Sequence, residues 1–231
     1  MFFPLYIISF ILGGVGAWFI GAYGDNFGLM DKPNDRSSHS RPTPKGGGIG
    51  ILASFVFASF SVGIPMGFLT PVAFLALFSF FNDKLDFSPK VRLTVQSMAA
   101  ITFLVGTGEF RLTQTSELFL MIPLVVFIVG TTNCYNFMDG INGIASITGI
   151  VSFGLLAIYI LLSKNSQSLA ILSVCVTAAC FGFLPFNMPE ARVFMGDVGS
   201  IFLGFIFAGM VVQLSRSTLD FICVASFLFP F

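Results

Sequence analysis

A polar segment between two long apolar runs constrains the fold more than any other feature of the chain. Residues 133–143 separate the apolar runs 118–132 and 144–162, so the segment belongs at a membrane surface. Within it, side chains with amide or carboxyl groups recur every three positions, and neighbours in such a series share a helical face. They are Asn133, Asn136, Asp139 and Asn142. Oxygen atoms collected in this way suit a hard cation or a polar ligand.

The composition places these runs in a membrane. The chain is 55% hydrophobic and only 10% charged, it contains 31 Phe, and its mean hydropathy is +0.93, values far from those of a soluble domain. The net charge is zero, which leaves no electrostatic basis for binding nucleic acid. We therefore expect an integral membrane protein that is embedded in a lipid bilayer and has no nucleic-acid partner.

Apolar runs of spanning length predict the fold class, an all-α polytopic membrane protein with a bundle of about nine transmembrane helices. No repeat and no soluble domain is evident, so residues 1–231 are treated as a single transmembrane domain. The predicted spans are 2–23, 47–65, 67–82, 92–107, 117–134, 143–162, 168–186, 199–214 and 218–231. We expect the last of them to be cut by the end of the chain.

The connections between the spans alternate in character, which predicts the orientation. Those after odd-numbered spans are long and polar, whereas those after even-numbered spans are short. The long set holds eight basic residues, Lys32, Arg36, Arg41, Lys45, Lys84, Lys90, Arg92 and Arg192, and the short set holds three, Arg111, Lys164 and Arg216. Positive charge concentrates on the cytoplasmic side of membrane proteins. We therefore expect a periplasmic N-terminus and polar segments that meet at the cytoplasmic face.

The first long loop is basic and rich in proline. Four cations lie in positions 32–45, which suits a surface that binds phosphate groups, although ordinary positive charge beside a membrane is the alternative. His39 is the only histidine of the chain, so a histidine-based metal site or a Ser-His-Asp triad has little support. The glycine run 46–50 opens a helix rather than following a strand, and we interpret it as a site of close helix packing.

Several acidic residues stand at predicted helix ends. Asp83 ends a helix, where the macrodipole disfavours a carboxylate, so we favour a function for it, whereas Asp86 is equally consistent with a turn. Asp197 could simply be the N-cap of the eighth span, and the residues of 133–143 could cap the spans beside them. Carboxylates from several helices at one water boundary repel one another unless a divalent ion or a cationic ligand neutralises them. We therefore expect Asp83, Asp139 and Asp197 to share a site.

Four segments, in this order, resemble those of the polyprenyl-phosphate N-acetylhexosamine-1-phosphate transferases, the membrane enzymes of glycosyltransferase family 4. The segments are DKPNDRSSHSRPTPKGGG at 31–48, NDKLDFSPKVRL at 82–93, NCYNFMDGINGIA at 133–145 and NMPEARVFMGDVGS at 187–200. The family includes phospho-N-acetylmuramoyl-pentapeptide transferase and the undecaprenyl-phosphate GlcNAc-1-phosphate transferases that start O-antigen synthesis. The first loop is most similar to the O-antigen branch.

The resemblance implies transfer of a sugar-1-phosphate from a UDP-sugar to undecaprenyl phosphate, with release of UMP, in the bacterial inner membrane. It also implies Mg²⁺ as the cofactor, with Mn²⁺ as an alternative. By motif position, the metal-binding residues are Asp197 and Asp139. The catalytic residues are Asp83, Asn82 and Asp139. The substrate-binding residues are Asn133, Asn136, Asn142, Asn187, Arg36, His39, Lys45 and Arg92.

The chain departs from the family pattern at two places. Asn82 stands where the family has the first of two aspartates, which is often proposed as the base that deprotonates the lipid phosphate. Because a phosphate monoester has a second pKa of about 6, we expect Asn82 to lower the rate without abolishing it. The family also continues into a cytoplasmic loop with a His-rich motif, and we expect a chain that stops at Phe231 to lack this C-terminal part.

Two other interpretations stay open. One is an inactive fragment or remnant of such an enzyme. The other, with less support, is an ion-coupled transporter, but transporters keep ionisable residues near the bilayer midplane and here the acids cluster at span ends. The motifs do not identify the amino sugar or the polysaccharide pathway, and they leave the oligomeric state open, a homodimer included.

Overall fold

The computed structural model describes residues 2–33, 41–108 and 115–228 of the chain, and most of these are helical. The helices are α1 (Phe3–Tyr23), α2 (Ile49–Val62), α3 (Met66–Leu85), α4 (Pro89–Gly106), α5 (Thr115–Met138), α6 (Ile144–Ser163), α7 (Gln167–Asn187), α8 (Asp197–Leu214) and α9 (Thr218–Ala225). Short 3₁₀ turns follow α1 at Asp25–Phe27 and α9 at Ser226–Leu228. Two short strands, β1 (Met30–Asp31) and β2 (Thr43–Pro44), pair antiparallel between α1 and α2.

Each of the nine predicted spans corresponds to a helix, but not every helix has the length and composition of a span. Among the described residues, α1, α3, α5, α6, α7 and α8 are long and apolar enough to cross a membrane. This confirms an all-α polytopic membrane protein. The helix α2 has only 14 residues, residues 218–228 form a shorter apolar stretch, and α4 begins with a basic first turn. For these three helices, and for the orientation of the bundle, spanning stays a prediction.

The helix α8 lies at the centre of the bundle. It is apolar along its length and 89% of it is buried, as expected of a helix that is hydrophobic on all sides. Three of its phenylalanines pack edge-on against phenylalanines of other helices: Phe202 against Phe55 of α2, Phe205 against Phe103 of α4 and Phe207 against Phe153 of α6. Such pairs contribute about 0.5–1.5 kcal/mol each beyond their burial. The surrounding helices thus fix the place where α8 begins.

The first turns of α2 and α8 are in backbone contact. A Cβ atom on Gly48 would lie 2.4 Å from the Cα of Gly199, so neither position has room for a side chain. Gly47 and Gly48 donate backbone hydrogen bonds to the carbonyls of Phe194 and Met195 at 3.0 and 2.9 Å. The interpretation of the glycine run as a site of close helix packing is confirmed, and it holds the loop before α8 against the loop before α2.

The helices α3 and α5 extend further into the polar segments than the sequence predicts. The helix α3 ends at Leu85 rather than Asn82, and α5 ends at Met138 rather than Cys134, because polar side chains in these last turns find partners on other elements. Asp86 ends α3 in a left-handed conformation with a φ of 50°, and its N–H donates to the carbonyl of Asn82 at 3.0 Å. Of its two interpretations, Asp86 therefore fits that of a turn residue.

Candidate active site

The polar segments meet at one end of the bundle, around a cavity of about 210 Å³. The helices α3 and α5 end here, α8 begins here, and the paired strands lead to it from α1. The lining residues are Asp31, Lys45, Asp83, Asn136, Asp139, Gly140, Phe194, Gly196 and Asp197. The structure thus brings together five of the predicted site residues, which are Asp83, Asp139, Asp197, Asn136 and Lys45.

Asp83 lies in the last turn of α3 and binds the start of α8. Its Oδ1 accepts a hydrogen bond from the N–H of Asp197 at 2.9 Å, and its Oδ2 accepts one from the N–H of Val198 at 3.1 Å. The first N–H groups of a helix have no partner within the helix and form the positive end of its dipole, so a carboxylate is favourable there. The unfavourable place of Asp83 at the end of its own helix is therefore offset by the beginning of another.

Asp139 follows α5 directly and binds the two N–H groups that precede those held by Asp83. Its Oδ1 accepts from the N–H of Met195 at 2.9 Å, and its Oδ2 accepts from the N–H of Gly196 at 2.6 Å. Burial raises the pKa of the Asp139 carboxyl to about 7, although the two donors favour the ionised form. Asp83 and Asp139 together satisfy four successive N–H groups, those of residues 195–198.

Gly196 makes this arrangement sterically feasible. Its φ of 74° lies in the left-handed region that favours glycine. A Cβ atom here would lie 2.4 Å from the backbone nitrogen of Gly46 and 2.9 Å from Oδ2 of Asp83. A side chain at this position would collide with Gly46 and with the carboxylate of Asp83, so the loop before α8 requires glycine here.

Asp197, the first residue of α8, faces side chains instead of backbone groups. Its Oδ1 accepts from Nδ2 of Asn136 at 2.7 Å, and its Oδ2 accepts from Nδ2 of Asn82. Nη2 of Arg92 lies 3.3 Å from Oδ2 of Asp197 and 3.2 Å from Oδ1 of Asn136. The side chains of Arg92 and Asp197 are 24% and 18% exposed. Water and ligands can therefore reach this group.

Asn82 acts as a hydrogen-bond donor at the position where the family pattern has a carboxylate. Its Oδ1 accepts from the N–H of Phe87 at 2.9 Å, and this bond fixes the amide so that Nδ2 points at Asp197. A carboxylate in this place would face that of Asp197 without a proton between them. The side chain of Asn82 orients Asp197 and cannot accept a proton from a substrate.

Asn187, a predicted substrate-binding residue, has a structural role in its place. It is fully buried, it accepts from the N–H of Gly143 and the hydroxyl of Ser146, and it donates to the carbonyl of Val193. These bonds tie the turn after α5 to the loop before α8. Both side-chain polar atoms of Asn187 thus have partners within the protein, and the side chain is shielded from solvent.

The other predicted substrate-binding residues lie outside the cavity or outside the described residues. Asn133 donates to Oε1 of Gln96 at 2.6 Å and to the carbonyl of Val129 at 2.8 Å. Asn142 is half-buried in the turn between α5 and α6 and does not line the cavity. Arg36 and His39 belong to the part of the first loop that the structure does not describe.

Three residues of this region with polar side chains were not among the predicted site residues. Asp31 lines the cavity, Ser200 accepts from Asn136 at 2.8 Å, and Gln96 is buried beside Asn133 with no hydrogen-bond partner for its Nε2 among the described residues. Ser200 and Gln96 lie one helical turn after Asp197 and Arg92. Helical spacing from a suspected site residue is the signal that could have identified them.

An apolar groove of about 640 Å³ lies between α4 and α5, next to the cavity. Asn136 lines both, and Arg92 lines the groove while it contacts Asp197 of the cavity. The groove is otherwise lined mainly by aliphatic and aromatic side chains, among them Leu93, Val125, Val126, Val129 and Phe137. A polar compartment and an apolar one therefore meet at Asn136 and Arg92.

The oxygen atoms of Asp197 and Asn136 are of the kind that bind a magnesium ion. The described residues contain no group of three His, Cys, Asp or Glu side chains arranged as metal ligands. Magnesium does not require one, because it usually keeps several waters and binds one or two carboxylates together with substrate phosphates. Asp83 and Asp139 are engaged by the backbone, whereas Asp197 and the amide oxygen of Asn136 both face the guanidinium of Arg92 and could hold such an ion together.

Comparison with known proteins places this geometry in a family. The family model for glycosyl transferase family 4 matches residues 65–215. The chain is 34% identical over 192 residues to a probable undecaprenyl-phosphate N-acetylglucosaminyl 1-phosphate transferase of Bacillus subtilis. The aligned region covers 77% of this chain and 53% of the relative. It is 30% identical over 223 residues to the phospho-N-acetylmuramoyl-pentapeptide-transferase of Halalkalibacterium halodurans. Here the aligned region covers 84% of this chain and 68% of the relative.

A third relative is the decaprenyl-phosphate N-acetylglucosaminephosphotransferase of Mycobacterium leprae, with 28% identity over 235 residues that cover 87% of this chain and 57% of the relative. The chain therefore spans between about half and two thirds of the length of these relatives. The matched family region contains Asp83, Asn136, Asp139 and Asp197, the residues that converge on the cavity. The chain belongs to glycosyl transferase family 4.

Proposed function

We propose that the chain transfers an N-acetylhexosamine-1-phosphate from a UDP-sugar to undecaprenyl phosphate and releases UMP, as the first membrane step of O-antigen or other cell-envelope polysaccharide synthesis. One observation carries the proposal, which is that the polar cavity at Asp197 and the apolar groove between α4 and α5 share Asn136. A reaction between a water-soluble donor and a lipid acceptor requires two such compartments side by side. The names of the relatives, which refer to undecaprenyl and decaprenyl phosphate, support the same chemistry.

The cavity suits the diphosphate of the donor. Lys45 contributes a cation to its wall, and Asp197 with Asn136 would hold Mg²⁺, for which Mn²⁺ is an alternative. When bound, such an ion neutralises charge on the phosphates, which is the main requirement of phosphoryl transfer. Asp83 and Asp139 hold the backbone that presents Asp197, so they position the site rather than contact the reacting atoms.

The groove suits the polyprenyl chain of the acceptor. Its walls are apolar side chains of two membrane helices, which favour burial of a hydrocarbon chain. Arg92 and Asn136 at its polar end suit the phosphate, because guanidinium and amide groups donate to phosphate oxygens. An acceptor bound in this way has its head group beside the cavity and its chain toward the lipid.

The proposed reaction forms one phosphorus–oxygen bond and breaks another. An oxygen of the lipid phosphate attacks the phosphorus that carries the sugar, and the bond from this phosphorus to the oxygen of UMP breaks. Since the second pKa of a phosphate monoester is about 6, the attacking oxygen is already mostly ionised at neutral pH. A general base is then unnecessary, which accommodates an amide at Asn82.

The proposed location is the bacterial inner membrane, with the cavity on the cytoplasmic face and the N-terminus in the periplasm. The bias of Lys and Arg toward the loops at the cavity end supports this orientation. The water-soluble nucleotide donor would reach the cavity from the cytoplasm, and the lipid acceptor would reach the groove from the bilayer.

Measurement of UMP release tests the proposal. Membranes that contain the chain are incubated with UDP-N-acetylglucosamine, undecaprenyl phosphate and Mg²⁺, and we expect UMP release that requires both the lipid phosphate and the metal. Asp197→Ala should lower the rate by about 10²–10³-fold, the usual effect of removing one electrostatic contact to a transition state. Glu190→Gln, an exposed acid in the loop before α8, is the matched control and should leave the rate unchanged.

The same assay with other UDP-sugars identifies the donor. No release with any of these sugars would overturn the proposal. Release that persists at the parent rate in Asp197→Ala would overturn the role of this carboxylate.

A further inference from the structure

The guanidinium of Arg92 contacts the carboxylate of Asp197, to which the proposed metal ion would bind. It lies in the first turn of α4, and its Nη2 contacts Oδ2 of Asp197 at 3.3 Å and Oδ1 of Asn136 at 3.2 Å. These two side chains are the ones that fit a divalent ion. A cation and a guanidinium therefore compete for the same oxygen atoms.

The other side-chain partners of Asp197 are neutral amides, which carry no charge that would repel a cation. Asn136 donates to Oδ1 and Asn82 donates to Oδ2, and the hydrogen bond from Phe87 keeps the amide of Asn82 in this orientation. Neutral donors orient a carboxylate without cancelling its charge. Arg92 supplies the one positively charged contact of the Asp197 side chain among the described residues, at 3.3 Å.

A divalent ion at Asp197 and the guanidinium of Arg92 in its present place would repel each other. Phosphate offers the guanidinium a better partner than a carboxylate already bound to metal, because its oxygens accept two parallel hydrogen bonds from arginine. Arg92 also lines the groove. Rotation of its side chain toward a phosphate at the groove end would release Asp197.

From this geometry we propose that Arg92 exchanges partners, from Asp197 in the ligand-free protein to a phosphate group when the ion binds, so that ion and phosphate each strengthen the binding of the other. The inference rests on the proposed function in assuming a divalent ion at Asp197. The phosphate can belong to the lipid acceptor in the groove or to the nucleotide donor in the cavity, and both offer the same oxygen atoms to Arg92. The position of Arg92 in the groove wall favours the acceptor.

Binding of Mn²⁺ to the purified full chain in detergent, followed by electron paramagnetic resonance, tests the exchange without turnover. The probes are farnesyl phosphate, a soluble prenyl monophosphate, and UDP, each added alone. We expect saturating farnesyl phosphate to lower the apparent dissociation constant of Mn²⁺ by about tenfold, within the usual range of coupling between two sites. A larger effect of UDP would assign the partner phosphate to the nucleotide.

Arg92→Gln should bind Mn²⁺ more tightly than the parent chain when no phosphate is present, and the effect of farnesyl phosphate should fall to within about twofold. Lys90→Gln removes an exposed charge from the same turn of α4 and is the matched control, with coupling as in the parent. Arg92→Lys keeps the charge but loses the planar fork, so it should retain only part of the coupling. A size-exclusion profile and an unfolding temperature for each variant exclude misfolding as the cause.

Mn²⁺ binding that is independent of both phosphates in the parent chain, or full coupling in Arg92→Gln, would overturn the exchange. Loss of Mn²⁺ binding in Arg92→Gln would also overturn it, because Arg92 would then help to hold the ion. The UMP assay separates the two proposals. If UMP is released but phosphate does not affect Mn²⁺ binding, the proposed transferase activity stands and the partner exchange of Arg92 is overturned. If phosphate affects Mn²⁺ binding but no UMP is released, the exchange stands and the transferase activity is overturned.

Discussion

Three of the carboxylates that border the cavity form two groups, Asp83 with Asp139 and Asp197 alone, which differ in what they bind. Asp83 and Asp139 direct all four of their oxygens at backbone N–H groups, whereas Asp197 directs its two at side-chain amides and a guanidinium. Backbone donors are fixed by the fold, whereas the long side chain of Arg92 has the freedom to turn toward a ligand. An acidic residue that lines a cavity can therefore have a structural role. The number of such residues then exceeds the number of carboxylates that can bind a metal.

This difference predicts contrasting stabilities for alanine variants of the two groups. Asp139→Ala leaves the buried N–H groups of Met195 and Gly196 without acceptors, so it should lower the free energy of unfolding by roughly 2–6 kcal/mol, at about 1–3 kcal/mol for each orphaned group. Asp197→Ala orphans one buried donor, Nδ2 of Asn82, while its other partners are less buried, so it should cost less, about 1–3 kcal/mol. Thermal and denaturant unfolding of the purified proteins in detergent measures both.

Asp83→Ala extends the same test, because it removes the acceptors of the next two N–H groups. It should resemble Asp139→Ala in stability. Equal losses in the variants of Asp139 and Asp197 would remove the distinction between the two groups.

Asn82→Asp changes the second group into a pair of facing carboxylates. Like charges at such a distance repel unless a cation lies between them, so the variant should lose roughly 1–3 kcal/mol of stability in EDTA and regain it when Mg²⁺ is added. Asn142→Asp, in the turn outside the cavity, is the control and should show no response to Mg²⁺. An Asn82→Asp variant that is indifferent to Mg²⁺ would mean that position 82 does not face Asp197 as described.

A smaller effect should come from protonation of Asp139. Burial raises its pKa to about 7, above the value of about 3.9 for an unperturbed aspartate. The stabilising contribution of the protonated form is then fully present below the lower value and is lost as the pH rises through 7. From about pH 8 to pH 6 the metal-free protein should gain about 1 kcal/mol.

Unfolding temperatures across this range measure the effect, and Asp139→Asn, which cannot titrate, is the control. The parent chain should become more stable toward pH 6 relative to Asp139→Asn. If the two proteins respond equally to pH, Asp139 is ionised throughout and the two backbone donors outweigh its burial.

The helices and the meeting of the polar segments were predictable from the sequence because they depend on local patterns. Apolar runs identify the helices to within a few residues, and the alternation of long and short connections groups the acids at one end. The sequence also shows that a carboxylate at Asp83 is unfavourable for its own helix. The groups that compensate for it were not predictable, since these N–H groups belong to residues more than a hundred positions later in the chain.

The roles of individual amides were harder to predict for the same reason. Asn82, Asn136 and Asn187 look alike in the sequence, each near the end of an apolar run. In the structure Asn82 orients Asp197, Asn136 lies between cavity and groove, and Asn187 is buried as a tie between two loops. Only the tertiary partners distinguish them, and no spacing rule encodes which loop will arrive opposite each amide.

The central place of α8 has a consequence for how the protein is made. During synthesis, α3 and α5 leave the ribosome before α8, so Asp83 and Asp139 precede the four N–H groups that they will bind. Until the loop 195–198 docks between them, these acids lack the four backbone donors that they have in the folded chain. The site can therefore be completed only after the start of α8 has been made, and a nascent chain interrupted before residue 197 carries Asp83 and Asp139 without Asp197 and without the two N–H groups that Asp83 binds.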